Sequence, residues 1–299
     1  MAEVRRLKMA DTSAQADIRG INIQKVATGF ADEALILRRF VGNSTTKARE
    51  IRWYKKTAGF LDSVDTTGIT ASQIANTSSK SLFPVVEQSW TRTTSYIRKY
   101  AVESPLLTIE DLKDNDVDIL ATNVRDLVRA VGNQIDIRIY TAITTDGSLG
   151  TGAATADGWD DQVTGDPILD ILKAKNTIRL SRYNPEGGVL YIHPTEHKNL
   201  INYLISVKGS SIPNFSSEKI KSGVVMEILG LNVVVSLNAT TDQALIFVKN
   251  IIGTWKSFMP LKTAILDDPG LGKKIRVWEE GEFIVQNPEA GYLITDTVV

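Results

Sequence analysis

The sequence predicts an α+β fold, in which strand-forming and helix-forming stretches occupy different parts of the chain. Residues 42–100 are rich in β-branched and aromatic residues with partial alternation, which is typical of strands. From Thr108 to about Ile143, apolar residues recur at helical spacing. Short strand patterns return after Val224. We therefore expect strands first, a long central helix, a mixed segment and then a β-rich final third.

The composition is that of an ordinary folded protein. The chain has 299 residues, of which 42% are hydrophobic and 23% are charged. Its 34 Lys and Arg and 35 Asp and Glu give a formal net charge of −1, without the basic excess of a dedicated nucleic-acid binder. The absence of cysteine excludes disulfides and thiolate chemistry. The sequence contains no apolar run of the kind that a signal peptide or a transmembrane helix needs, so we expect a cytoplasmic product or one that is assembled in the cytoplasm.

The first hundred residues predict an arm followed by a hairpin. Residues 1–20 are polar and predict a mobile arm, and residues 31–41 predict a short helix or strand. Two strand-like segments, 47–64 and 90–102, flank a Thr-, Ser- and Asn-rich loop. Because an isolated two-stranded hairpin is marginal in water, we expect it to need a partner surface, most simply another copy of the chain.

The long helix carries the strongest periodic signal. Thr108 and Asp111 stand at capping-box spacing before it. The apolar positions that form one stripe are Val117, Leu120, Val124, Leu127, Val128, Val131, Ile135, Ile139 and Ile143. A helix of about 30 residues would be about 45 Å long, which predicts a spine crossing an elongated body.

The next segment predicts a compact α/β subdomain. Residues 147–166 are Gly-rich and polar, which favours a loop or a domain boundary. Asp166 and Pro167 predict the N-cap and first position of a helix. GGVLYI predicts a buried strand, and the stretch from Pro194 to Gly209 predicts a second helix. Later strands are predicted at LNVVVS, QALIFVK, KIRVWEE, EFIVQ and YLITDT.

One stretch matches an enzyme signature. His193, Glu196 and His197 follow the H-x-x-E-H pattern of inverted zinc peptidases. However, proline disfavours the helical conformation for the residue before it, so Pro194 predicts that His193 ends the strand or caps the helix. A third ligand would have to come from Glu218 or Glu227. We favour a strand-to-helix junction, and a zinc hydrolase stays as the alternative from a different class.

Three further patterns allow a functional and a structural interpretation. GSLGTG is similar to a dinucleotide-binding loop, but such a loop follows a strand and GSLGTG follows a helix. PGLGKK is similar to the end of a phosphate loop, but it lacks the first glycine and the Ser or Thr of that motif. We therefore expect both to be turns. KAREIRWYKK interleaves cations with aromatics and could bind nucleic acid. We favour a solvated strand face, or one that docks on an acidic neighbour. Its members are Lys47, Arg49, Arg52, Trp53, Tyr54, Lys55 and Lys56.

The order of parts and three local stretches resemble a known family. These stretches are GGVLYIHPTEHKNLINYL, ILGLNVVVSLNATTDQALIFVKN, with Asn232 where proline is frequent, and GKKIRVWEEGEFIVQNPEAGYLIT. Over roughly residues 25–299 the chain resembles the major capsid protein of tailed phages and related archaeal viruses, the Hong Kong 97-type fold. The segments that this resemblance implies are an arm and lead-in (1–41), an extended loop (42–103), a peripheral domain with the spine helix (104–150), an axial domain (151–250) and C-terminal strands returning to the peripheral domain (251–299).

The resemblance implies a structural protein without catalytic, cofactor-binding or metal-binding residues. Its subunits would form pentamers and hexamers of an icosahedral shell around double-stranded DNA, through the extended loop and the axial domain. Scaffold, portal or decoration proteins are further possible partners, packaged DNA would be contacted weakly, and no membrane is involved. We expect the protein in the virion, after assembly in the host cytoplasm. Some members crosslink a lysine of this loop to an asparagine of a neighbouring subunit; Lys80 lies in the loop here, and no crosslink is assigned to it.

Two alternatives stay within structural proteins. An encapsulin-type compartment would share the fold and hold enzymes in place of a genome. A tail or head-decoration component would be a phage structural protein outside the icosahedral shell.

Overall fold

The computed structural model describes residues 36–58, 89–114, 119–154, 158–161, 163–206 and 227–298. The chain divides into two compact units: a small unit of residues 47–97, and a body formed by the residues before and after it. The predicted arm, the predicted loop of the hairpin and Lys80 lie outside the described residues. The division into five segments therefore stays a prediction.

The described residues contain four α-helices, of which the last two begin where the sequence predicts. They are α1 (Ile109–Asp114), α2 (Ile119–Thr144), α3 (Pro167–Leu180) and α4 (Pro194–Ser206). The predicted long helix is α2, whose 26 residues span about 39 Å. The Asp166 side chain caps α3 as predicted, because it accepts the N–H groups of Ile168 and Leu169. Within the described ranges, no helix combines the length and apolar character needed to cross a bilayer.

The strands form three sheets. In chain order they are β1 (Gly42–Thr45), β2 (Glu50–Ala58), β3 (Ser89–Tyr96), β4 (Arg98–Glu103), β5 (Leu107–Thr108), β6 (Gly150–Ala153), β7 (Val189–Ile192), β8 (Glu227–Ile228), β9 (Leu231–Val235), β10 (Gln243–Phe247), β11 (Gly253–Asp268), β12 (Gly272–Val285) and β13 (Gly291–Thr295). The small unit is the antiparallel β2–β3 hairpin. The first sheet of the body has the order β1-β11-β12-β4, with β5 also on β12. The second sheet has the order β6-β13-β10-β7-β9-β8.

Several strands differ from the prediction. The segment 90–102 is not one strand, because it breaks at Ile97: β3 pairs within the hairpin, whereas β4 pairs with β12. KIRVWEE and EFIVQ are parts of one strand, β12. The 16-residue strand β11 was not predicted. The predicted turn at PGLGKK joins β11 to β12, and its Gly270 has a φ of +82°, which favours glycine.

The prediction of a loop throughout residues 147–166 is wrong for Gly150–Ala153, which forms edge strand β6, parallel to β13. Glycine in a sequence usually predicts a loop, but the glycines of β6 make room for the ring of Tyr292 on the neighbouring strand. A Cβ at Gly150 would lie 2.9 Å from Tyr292 Cδ2, and one at Gly152 would overlap the Tyr292 hydroxyl. A polar, Gly-rich edge strand thus looks like a loop in sequence.

The core of the body is built around α2, whose apolar stripe packs against both sheets. The buried members of the predicted stripe are Val124, Val128, Val131, Ile135, Ile139 and Ile143. They share one core with Tyr191 and Leu245 of the second sheet and Trp255 of the first. The other face of the second sheet, including Leu190 and Ile246, packs against α3 and α4. The long helix therefore joins two sheets into one body.

Candidate functional sites

The predicted strand-to-helix junction is confirmed at the histidine motif. Strand β7 ends at Ile192 and α4 begins at Pro194, so His193 lies outside the helix. The His193 carbonyl accepts the N–H of His197 at 3.1 Å, and its Nδ1 accepts the N–H of Thr195 at 3.3 Å. His193 thus occupies the capping position that Pro194 imposes on it.

Glu196 and His197, the other two residues of the motif, are buried and partly buried in the body. Glu196 is fully buried, and its Oε1 accepts the backbone N–H of Asp242 at 2.8 Å, which ties α4 to the start of β10. Its Oε2 lies 3.8 Å from His193 Nδ1. Burial lowers the pKa of His197. No group of three or more His, Asp or Glu side chains in the described ranges could hold a metal ion, and Glu218 lies outside those ranges.

Buried arginine–glutamate pairs hold the first sheet to the helix and to the residues before β1. Arg138 of α2 donates from Nε and Nη2 to Glu282 Oε1, at 2.8 and 2.6 Å. Arg98 Nε lies 3.0 Å from Glu282 Oε2 but is poorly aligned to donate to it. Arg38 donates to Glu279 at 2.7 Å. Both glutamates are fully buried, and we call these five residues the arginine–glutamate cluster.

The hairpin has two unequal faces. Strand alternation and the β2–β3 register place Arg52 and Tyr54 on the same face as Arg92, Tyr96 and Trp90. On this face Tyr54, Trp90 and Tyr96 are 62%, 54% and 65% exposed. Such a concentration of exposed aromatics in a two-stranded ribbon indicates a binding surface. We call it the aromatic–arginine face.

The predicted basic cluster KAREIRWYKK does not act as one patch. Arg52 and Tyr54 lie on the aromatic–arginine face, whereas Trp53 and Lys55 are on the opposite face, where they are partly buried. On the exposed side, Arg52 donates to Glu50 at 2.6 Å and thereby lowers the pKa of that carboxyl. The exposed face is therefore both aromatic and cationic, with one carboxylate at its end.

Helix α3 carries a second exposed apolar surface. Leu169, Leu172 and Leu180 are 40%, 45% and 75% exposed. Their spacing, with Asn176 between them, puts them on one side of the helix, opposite the side that packs on the second sheet. We call this the leucine stripe.

Sequence reasoning missed both surfaces. The alternation of Arg52 and Tyr54 was visible, but Trp90, Arg92 and Tyr96 join them only through the register of the hairpin. The leucines of α3 follow helical spacing, as core residues do, so nothing local marked them as exposed.

Comparisons with known proteins agree over most of the chain. A family model described as "Phage capsid protein" matches residues 106–294. No curated protein matches the chain. The virus-like particle from Pyrococcus furiosus is 12% identical, with a TM-score of 0.63 over 92% of this chain and 99% of that one. The capsid of cyanophage P-SCSP1u is 12% identical, with a TM-score of 0.64 over 87% of this chain and 88% of that one. The structure titled Mycobacterium phage Che8 is 16% identical, with a TM-score of 0.61 over 85% of this chain and 86% of that one.

Proposed function

The chain belongs to the phage capsid protein family, and on this premise we propose that its subunits form the pentamers and hexamers of a shell that encloses double-stranded DNA. The predicted Hong Kong 97-type fold and the predicted capsid protein family are confirmed. Within that family, a major capsid protein of an icosahedral shell is the role that we propose. The encapsulin-type compartment is not favoured.

The match over residues 106–294 is the observation that carries this proposal. It spans the long helix, the whole second sheet except the last residue of β13, and all of β11 and β12. The family indicates a structural role, and the surroundings of His193, Glu196 and His197 support a junction more than a hydrolase site.

We place one contact between subunits at the aromatic–arginine face. A two-stranded ribbon cannot bury three aromatic side chains by itself, so a second surface must cover them. Tyr and Trp contribute large apolar area with few rotatable bonds, and Arg adds paired hydrogen bonds, which is why these residue types dominate interface centres. A neighbouring copy of the chain is the occupant that shell assembly supplies.

Charge supports a protein neighbour for the hairpin as a whole. Residues 47–58 and 89–97 contain six Lys and Arg and one Glu, a net charge of +5. Because the whole chain carries −1, the rest of the sequence carries −6. The hairpin strands and the remainder of a neighbouring copy therefore attract each other, and this attraction should weaken in high salt.

The leucine stripe supports a second contact, between neighbouring axial domains. Burying exposed leucine contributes about 25 cal/mol per Å² of apolar surface, so Leu172 and Leu180 should favour association. The same proposal includes the five segment boundaries and the axial position of this subdomain. It also includes weak contact with packaged DNA and partnership with scaffold, portal or decoration proteins. Assembly would take place in the host cytoplasm, before incorporation into the virion.

Microscopy of the purified full-length chain tests the proposal. Negative-stain images and sedimentation should show shells or ring-shaped capsomers. A monomer under all salt conditions would contradict a shell-forming function.

A paired variant tests the hairpin contact separately. Arg52→Gln with Arg92→Gln should reduce assembly, because both changes lie on the aromatic–arginine face. Arg129→Gln with Lys198→Gln removes the same charge from exposed positions of the body and serves as the control. If the hairpin variant assembles normally but loses affinity for DNA in a gel-shift assay, the face binds nucleic acid instead.

A further inference from the structure

The outer side of strand β11 is only partly covered by a neighbouring strand. Strand β12 pairs with the inner side of β11 from Gly253 to Asp268. On the outer side, β1 pairs with residues 254–257 only. In the described part of the chain, no strand pairs with the outer side beyond residue 257. The far half of β11 is therefore an edge of the first sheet.

This edge has a guarded part and an unguarded part. Between Ser257 and Lys262 the register with β12 shifts twice, and Pro260 lies within this irregular stretch. Irregular backbone and proline both hinder the addition of a further strand. From Lys262 to Asp268 the register is regular, the sequence KTAILDD contains no proline, and none of the residues is buried. We call residues 262–268 the open edge, because a regular, exposed strand of this kind is a template for another strand.

The open edge is complementary to itself when it is read in the opposite direction. If two copies pair antiparallel with Ile265 opposite Ile265, Lys262 of each copy lies opposite Asp268 of the other. Opposite charges that face each other across two strands stabilise the pairing. The remaining pairs in this register are Thr263 with Asp267 and Ala264 with Leu266. The centre of the contact is thus apolar, and an ion pair closes it at each end.

The charges favour this register over the neighbouring ones. Residues that lie opposite each other must point to the same face of the sheet, so a symmetric pair of strands can slide only by two residues at a time. A slide of two residues in either direction places Lys262 and Asp268 opposite uncharged residues. Asp267 already lies 3.3 Å from Lys273 of its own chain, so the choice of register depends on Lys262 and Asp268.

We propose that the open edge is an interface between two copies of this chain, which pair antiparallel about a two-fold axis at Ile265. The contact is isologous and joins the first sheets of the two subunits into one continuous sheet through backbone hydrogen bonds. It involves no residue of the aromatic–arginine face or of the leucine stripe. It goes beyond the proposed function, because two copies can form it whether or not a closed shell follows. A contact of seven residues on each side is smaller than a standard interface, so it is weak by itself and needs a test that captures weak pairing.

A cysteine at the centre of the open edge captures the pairing. The chain has no cysteine of its own, so Ile265→Cys introduces a single thiol. Directly opposite residues of an antiparallel pair have Cα atoms about 4.5–5.5 Å apart, which a disulfide can bridge. Mild oxidation of the folded full-length variant should therefore give a covalent dimer on a non-reducing gel. A folded Ile265→Cys protein that stays monomeric would overturn the proposal.

Thr263→Cys is the matched control for position. In the proposed register the two copies of residue 263 lie four residues apart along the strands, which is about 14 Å. A disulfide does not span that distance. Thr263→Cys should therefore dimerise at least about tenfold more slowly than Ile265→Cys. Equal rates would mean that the thiols meet by random collision, and the proposed pairing would be wrong.

Charge reversal in the Ile265→Cys protein tests the two ends of the contact. Lys262→Glu places like charges opposite each other at both ends and should slow dimer formation about tenfold. Adding Asp268→Lys restores opposite charges and should return the rate to within about threefold of the starting protein. Lys198→Glu changes the net charge equally at an exposed position of α4 and should have no effect.

The charge variants also decide the question without the cysteine. Sedimentation of the chains that keep Ile265 should show weaker association for Lys262→Glu, with recovery in the double variant. If Lys262→Glu with Asp268→Lys associates as poorly as Lys262→Glu alone, these residues do not face each other and the proposal fails.

Discussion

Glu282→Gln should be among the most damaging single substitutions in the body of this capsid protein. Glu282 is fully buried and lies between two arginines, Arg138 and Arg98. Glutamine keeps the size of the side chain but removes the charge that compensates both guanidinium groups. Arg138, in the middle of the long helix, then keeps its positive charge but loses its charge-assisted hydrogen bonds to Glu282.

The exposure of the two arginines sets how much free energy of unfolding each substitution should cost. Breaking a fully buried ion pair costs about 3–5 kcal/mol, because the remaining charge is left unpaired. The Arg138 side chain is 25% exposed and can recover part of its hydration, which lowers the expected cost to about 2–4 kcal/mol. The Arg98 side chain is 59% exposed, so Arg98→Ala should cost only about 0–1 kcal/mol.

Denaturant unfolding of the unassembled chain, followed by circular dichroism, gives the free energies of unfolding of the Glu282→Gln and Arg98→Ala variants. A cycle that combines Glu282→Gln with Arg138→Met should be non-additive, because the first change already removes the partner of the second. The reasoning is refuted if Glu282→Gln costs less than Arg98→Ala, or if the cycle with Arg138 is additive.

Three smaller predictions test the packing of the body in the same unfolding assay. Ile139→Ala leaves a cavity between the long helix and the sheets and should cost about 2–5 kcal/mol, and a cost below about 1 kcal/mol would mean that the helix is not held between them. Gly152→Ala should cost about 1–3 kcal/mol because its methyl group would meet the Tyr292 hydroxyl, whereas Gly147→Ala has open space and should be nearly neutral; equal effects would contradict the packing of β6. Asp166→Ala removes the cap of α3 and should cost about 1 kcal/mol, and Asp166→Asn, which can still cap, should restore most of it.

Features that depend on a few consecutive residues were predictable. The apolar stripe identified α2, Asp166 identified the start of α3, and Pro194 separated β7 from α4. Each signal acts over one or two turns of backbone, so the sequence contains all of the information needed.

Features that depend on pairing between distant segments were not predictable. The break at Ile97 appears only when β3 and β4 are seen in different sheets, and β6 becomes a strand only because β13 lies beside it. Strand β11 mixes polar and apolar residues and obtains its regular structure from two neighbouring strands. Sheet pairing is a long-range choice, which local propensity does not encode.

The candidate sites divide in the same way. The sequence by itself determined that His193 stands at a junction, because a proline restricts the residue before it whatever the fold. It also determined that the β2 segment is basic and aromatic. Only the tertiary structure decided which of these side chains share an exposed face, and that Asp136 is a buried acceptor for the N–H groups of Ile36 and Leu37 instead of a surface acid on an amphipathic helix. The physical reason is that burial and proximity depend on which distant segments pack together, whereas periodicity and capping depend only on the residues of one segment.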